Sequence, residues 1–412
     1  MKTSPGRYAE LVDTSTPILV VRRSVGPLQH CALAVARSAG RLEIPVYSVR
    51  GPAPEPAMRS RYVEDGLTLR PDGPEEEFVQ GLLALGQRLG RAVLLPIDDL
   101  AAVLVGDHQE RLAEHFRFPL APLGVQRQLA SKRELFKLCR ALDLPTPRST
   151  FPDTEAALIE QAERYGYPVV LKRADPWLAP RDPKAPSVAI VRDRFALLGS
   201  YARMESDAGP QVMVQEYIPG GTDSVWMLNG YAGENSEFRC AFTGQKLRQR
   251  GPWTGPTTLG VSVANDEVIA LAGRLLRELG YRGIVDMGFR YDRRDGSYRL
   301  LDVNPRLGST FRLFTSTDGL DVVRAMHLDL TGRSVPATTV SDGRKWVDER
   351  NDLVTSVRML REGTLGPLAW ARDLRGVREG AWWAADDPLP FLNMSALSVR
   401  QATRRLTIRG GG

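Results

Sequence analysis

Apolar positions along the chain follow two periods, and the change between them divides it. In residues 17–99 short apolar runs alternate with amphipathic stretches. Residues 17–21 and 45–49 read as buried strands, and residues 92–96 as a third that ends in Ile97-Asp98-Asp99. Residues 28–40 place Leu28, Cys31, Ala32, Val35 and Ala36 on one helical face, and residues 78–89 read as a second helix. Such alternation predicts an α/β unit, a parallel sheet with loops at its strand ends. The preceding residues 1–17 are polar and are expected to fray. From residue 128 the strands become mainly antiparallel. Helices are predicted over 131–142 (Ser131 as N-cap), 153–165, 195–203 and 266–279. Strands are predicted over 168–172, 188–191, 212–218, 225–228 and 238–246. Residues 175–187 are broken by proline into a loop. Residues 341–412, with Trp346, Trp370, Trp382 and Trp383, read as a small appended region.

One hairpin stands out. Residues 283–291 alternate, with Val285, Met287, Phe289 and Tyr291 on one side and Ile284, Asp286 and Gly288 on the other. Arg293-Arg294-Asp295-Gly296 signals a turn. Residues 298–304 alternate again, with Leu301 and Val303 on one face and Leu300, Asp302 and Asn304 on the other. Closing the hairpin over a shared core brings Asp286 near Asp302 and Asn304. Two carboxylates and an amide oxygen are hard ligands suited to Mg²⁺, which favours carboxylates plus substrate phosphates over a full protein cage. Arg306 follows and can face an anion. A lone Asp-x-Asn is usually a solvated surface; acids among apolar strand residues, followed by Asn-Pro-Arg, favour a magnesium–nucleotide site.

Composition narrows the rest. The 412 residues suffice for two or three domains, and 42% hydrophobic with 25% charged residues fits a globular enzyme. The net charge of +6 comes from dispersed Lys and Arg, with no basic run interleaved with aromatics, so nucleic acid is not an expected partner. Three scattered cysteines and four histidines argue against a disulfide framework and a zinc site. No apolar run reaches membrane-spanning length and no signal-peptide pattern opens the chain, so a cytoplasmic protein with no membrane partner is expected. The loop after the first strand, Arg22 to Pro27, lacks GxGxxG, which weighs against a nicotinamide fold.

Several cations and a hinge join the acidic hairpin as candidates. Lys172 ends the strand PVVLK and can meet a phosphate as a point charge, and Lys132 has the same option. Taken singly, each is better explained as a lysine snorkelling from the core edge. Glu216, Tyr217 and Ile218 run into Pro-Gly-Gly, where backbone groups can bond an adenine edge. Asp223 follows where a ribose hydroxyl can bind. Lys246, Arg248 and Arg250 fall at period two on one strand and form either a solvated edge or a phosphate-facing row.

The order of these pieces resembles the ATP-grasp superfamily over residues 128–335. The resemblance implies a Rossmann-like α/β domain at 1–127, an α+β clasp with a small lobe at 128–210 and a large lobe with the metal site at 211–335, and an extension at 336–412. It implies that Lys132 and Lys172 contact ATP phosphates, that Glu216, Tyr217 and Ile218 line the adenine, and that Asp223 binds ribose. Asp286, Asp302 and Asn304 would hold Mg²⁺, with Mn²⁺ as a substitute, and Arg306, Lys246 and Arg248 would serve catalysis. Asp302 stands where many members have Glu. The usual glycine-rich phosphate lid is replaced by DPWLAPRDPKAPS, so Arg181 and Lys184 become the lid candidates. The segments RRSVGP, residues 60–62, LPIDDLAAVLVGDH and KWVDERNDL resemble the D-aspartate-ligase-like branch of carboxylate–amine ligases. Ser24, Val25 and Gly26 are expected to border the pocket for the small-molecule carboxylate or amine. The implied reaction forms an amide through an acyl phosphate. A non-amine acceptor, or a non-catalytic ATP-binding scaffold, remains open at this point, as does a homodimer.

Overall fold

The computed structural model describes residues 7–24, 28–51, 53–251 and 254–409. The first sheet contains β1 (Ile18–Val21), β2 (Val46–Arg50), β3 (Asp65–Thr68), β4 (Ala92–Pro96) and β5 (Phe116–Arg117), all parallel in the order β3-β2-β1-β4-β5. Every β1 residue is buried. Ile18 and Val20 enter one apolar cluster and Leu19 and Val21 another, so the sheet is covered on both faces, as an uninterrupted apolar strand requires. The strand order reverses between β1 and β4, and the crevice beyond their carboxyl ends is where ligands sit in open α/β sheets.

The second sheet, β6 (Ser149–Thr150), β7 (Val169–Arg173), β8 (Val188–Val191) and β9 (Val212–Glu216), is antiparallel in the order β6-β9-β7-β8. Its inner face buries Val169, Leu171, Val212 and Val214 with Leu158, Ala162, Leu197 and Met204 from two helices, Glu155–Tyr165 and Arg194–Met204.

The third sheet contains β10 (Val225–Ala232), β11 (Phe238–Gln249), β12 (Thr257–Ser262), β13 (Gly283–Asp292), β14 (Ser297–Asn304), β15 (Lys345–Val347) and β16 (Val377–Gly380), in the order β14-β13-β10-β11-β12-β15-β16. One face packs Leu228, Val285, Met287, Phe289 and Val303 against the helix Asp266–Glu278. The other shares a core with the helices Cys31–Gly40 and Val322–Leu330 of the first sheet's side. β10 is therefore covered on both sides, and all eight of its residues are buried.

Three expectations change. Residues 341–412 are not a separate appendage: β15 and β16 extend the large sheet, and Trp346 and Trp382 are buried in the core shared with the first sheet. The opening residues are not all frayed. Tyr8 is buried, and its hydroxyl accepts from Arg324 at 2.9 Å. Leu300 faces the core with Val303 instead of sharing a face with Asp302. The cause is a bulge at Leu301: Gly288 pairs with Asp302 but Phe289 pairs with Leu300, so one extra residue reverses the alternation.

Buried ion pairs tie the tail to the first sheet's helix. Arg37 is 2% exposed; its Nε donates to Asp387 Oδ2 at 2.9 Å and its Nη2 to the carbonyls of Trp382 and Asp387. Removing one partner strands the other charge in the interior. Arg37→Ala is expected to lower unfolding stability by about 3–5 kcal/mol in denaturant titration. A loss below about 1 kcal/mol would show that the tail is held by other contacts.

Candidate active site

The hairpin β13–β14 builds the acidic half of the site. Asp286 pairs directly with Asn304, and Asp302 sits opposite Gly288, so all three side chains leave the same face. Asp286 is caged. Its Oδ1 accepts from Asn229 Nδ2 at 3.0 Å and its Oδ2 from Arg306 Nη1 at 2.9 Å. Gly308 lies so close that a Cβ there would stand 2.6 Å from Asp286 Cγ. Asn304 donates Nδ2 to the Asp286 carbonyl at 3.1 Å, which leaves its Oδ1 as the atom an ion can use.

Cations close on these acids from a helix and from the second and third sheets. Lys132 opens the helix Lys132–Ala141, capped by Ser131, and its Nζ pairs with Asp302 Oδ1. Lys172 on β7 donates Nζ to the Leu301 carbonyl at 3.2 Å. Arg306 bridges Asp286 to Asp99, to which its Nε donates at 3.1 Å, and Asp99 begins the helix that follows β4. The switch-point crevice of the first sheet therefore opens onto the metal-ligand candidates. Asp98, just before that helix, accepts from Ala101 N with one oxygen and from the N–H groups of Arg23 and Ser24 with the other, at 2.8–2.9 Å. Ser24 thus lies at the mouth of the same crevice; Val25 and Gly26 fall outside the described residues.

Burial and charge split the two acids. Burial raises the Asp286 carboxyl above its ordinary range, against the pull of Arg306. Burial also opposes ionisation of Asp302, but Lys132 and Lys172 overcome it and hold that carboxyl low. The cleft is deep yet wet, since the Asp302 side chain keeps 34% of its exposure. Burial depresses Lys172 from 10.5 to about 8, with Asp302 opposing and Lys132 adding to the shift. Lys246 Nζ donates to the Gly255 carbonyl at 2.9 Å, and burial depresses this lysine against the support of Asp286 and Asp302.

The remaining candidates divide. Arg248 does not join the row. A bulge lies between Lys246, opposite Gly260, and Arg248, opposite Leu259. The arginine is 2% exposed and locked to Asp352 at 2.9 and 3.0 Å and to Asp373 at 2.8 Å. It anchors the tail helices and has no part in the cluster. The Glu216 carboxylate accepts from Arg148 N and Nε at 2.9 and 3.1 Å, and its backbone N–H donates to the Arg148 carbonyl at 2.9 Å, so its side chain is committed to the sheet edge. Arg290 holds the carbonyls of Ile218 and Gly220 at 2.7 and 2.6 Å and lies over the Tyr217 ring, which fixes the hinge. Asp223 is exposed and paired with Arg293 at 2.5 Å. In the proline-rich loop Arg181 is paired with Asp207 at 2.7 Å, whereas Lys184 is exposed.

Sequence reasoning missed Asn229 and the role of Asp99. A lone amide within an apolar strand was the signal for the first; the Asp pair closing the third strand was the signal for the second.

Among the described residues no group of three or more His, Cys, Asp or Glu could hold a metal by itself. Two carboxylates and an amide oxygen fit an ion that completes its shell with phosphate oxygens. No helix among the described residues is long and apolar enough to cross a membrane.

The architecture is a parallel α/β sheet beside two mainly antiparallel sheets, and it recurs in solved nucleotide-dependent enzymes. The biotin carboxylase domain dimer of the Hydrogenobacter thermophilus 2-oxoglutarate carboxylase, solved with MgADP, ADP and bicarbonate, superposes with a TM-score of 0.59 at 15% identity over 80% of this chain and 73% of that one. An L-amino acid ligase from Bacillus licheniformis gives 0.56 at 15% identity, over 77% and 75%. In sequence, the D-aspartate ligase of Enterococcus faecium is 25% identical over 270 residues, 61% of this chain and 63% of the ligase, so the match spans less than two thirds of that relative. No family model matches the chain. In fold and in sequence the chain is thus similar to ligases and carboxylases of the ATP-grasp kind.

The depressed Lys172 gives a pH signature. Between about pH 8 and 10.5 the unfolded chain keeps this proton while the folded chain releases it, so the lysine's contribution to stability rises with pH across that window. The stability difference between wild type and Lys172→Met, measured by denaturant titration, is expected to climb from pH 8 to 10. A flat difference would contradict the burial of that charge.

Proposed function

We propose that the chain is an ADP-forming ligase that joins a carboxylate to an amine. The observation that carries this reading is the convergence of Lys132, Lys172 and Arg306 on the hairpin of Asp286 and Asp302 at the mouth of a switch-point crevice. The likeness to D-aspartate ligase and to the L-amino acid ligase supports an amino acid or small peptide as substrate. The three units, 1–127, 128–210 and 211–335, would supply the acceptor crevice, the lid and the metal face.

In this reading Lys132 leaves Asp302 for the phosphates when nucleotide enters, and Lys172 meets the same phosphates from β7. Backbone groups of Glu216, Tyr217 and Ile218 hold the adenine, and Asp223 exchanges Arg293 for a ribose hydroxyl. Lys184 covers the phosphates from the loop. Asp286, Asp302 and Asn304 would hold Mg²⁺, which supplies charge neutralisation at the phosphates. The carboxylate oxygen attacks the γ-phosphorus, the bond to the bridging oxygen breaks and ADP departs. The amine then attacks the acyl carbon, loses a proton, and phosphate leaves. Arg306 and Lys246 are placed to stabilise the oxyanion formed in that second step. Ser24 borders the acceptor. A second reading, with bicarbonate as the activated carboxylate, draws on the likeness to the biotin carboxylase domain.

Phosphate release with candidate carboxylates, with and without amines, tests the proposal. Release that requires both substrates is expected; release indifferent to every amine would contradict amide formation. Asp302→Asn should cut turnover about 100-fold or more, beyond the usual cost of an outer-shell change, with the fold intact by circular dichroism. Lys172→Ala should raise the ATP concentration needed for half-maximal rate. Near-wild-type kinetics in either variant would remove that residue from the site.

A further inference from the structure

Asn229 carries a feature that packing does not explain. It is 0% exposed in the middle of β10, whose eight residues are all buried. Across the sheet Asn229 pairs with Asp286, and Asp286 pairs with Asn304, so amide, carboxylate and amide form one row. Asn229 Nδ2 donates to Asp286 Oδ1 at 3.0 Å, while Arg306 takes Oδ2. The Oδ1 of Asn229 is buried with no hydrogen-bond partner among the described residues. Turning the amide over would set that oxygen against a carboxylate oxygen, so electrostatics fixes the donor toward Asp286. A leucine would fill similar space and remove this stranded oxygen, but would take away the donor to Asp286. A local rule broken in this way, beside a candidate ligand, points to function.

We propose that Asn229 is a positioning residue for the divalent ion. With Arg306 on one oxygen and Gly308 closing the near side, the Asn229 amide fixes the second oxygen of Asp286. The carboxylate plane then cannot swing, and its remaining lone pairs face the cleft. The proposal rests on the metal–nucleotide reading of the site.

Mn²⁺ serves as the probe, titrated into the full chain with saturating ADP and followed by electron paramagnetic resonance. Asn229→Leu is expected to weaken Mn²⁺ binding about 10- to 100-fold, the usual cost of removing an outer-shell partner. The same variant should keep its ADP affinity in EDTA, although losing the donor to a buried carboxylate oxygen lowers its metal-free melting temperature. Mn²⁺ affinity within about twofold of wild type, or ADP affinity in EDTA that falls in step with Mn²⁺ affinity, overturns the proposal. If Asn229→Leu fails to fold, Asn229→Ala removes the amide without adding volume and is read by the same criteria. Wild type that binds no Mn²⁺ with ADP would instead sink the metal–nucleotide reading itself.

Discussion

The structure depends on how charge is balanced in one deep cleft. Lys132, Lys172 and Arg306 gather in a cleft where Asp99, Asp286 and Asp302 face them, and burial opposes the charge of Lys172 and Arg306. Three cations face three carboxylates there, with Asp98 at the mouth of the same crevice. In the proposed reading, nucleotide entering with a divalent ion would displace Lys132 from Asp302.

That balance also explains why three sheets are needed. Lys172 arrives on β7 and the acids on β13 and β14, while Asp99 comes from the end of β4. Arg306 spans the first and third sheets through one guanidinium, with a carboxylate at each side. The tail adds a brace from the far edge. In the KWVDERNDL segment Asp348 pairs with His30 at 3.5 Å, Glu349 accepts from the N–H groups of Trp382 and Trp383, and Asp352 takes Arg248. Each acid of that motif thus secures a different piece of the scaffold, and none reaches the cleft.

Much of this was legible in the sequence. The strand at Ala92–Pro96 and the helix capped by Ser131 follow directly from apolar period and cap chemistry. The closure of Asp286 on Asn304 follows from period two on both sides of a four-residue turn. What failed has one cause in two places. Bulges at Leu301 and between Lys246 and Arg248 reverse the alternation, so Leu300 moves to the core and Arg248 to the tail. A bulge depends on cross-strand register, which one strand's pattern does not encode. Asn229 escaped notice because its value lies wholly in a partner 57 positions away. β15 and β16 are three and four residues long and gain their stability from the sheet edge they join.

The most direct test of the central claim is calorimetric titration of ADP into the full chain, once with Mg²⁺ and once with EDTA. If the converging cations and acids form a metal–nucleotide site, ADP binds in both and at least about tenfold more tightly with Mg²⁺. No detectable ADP binding, or equal affinity in Mg²⁺ and EDTA, would contradict it.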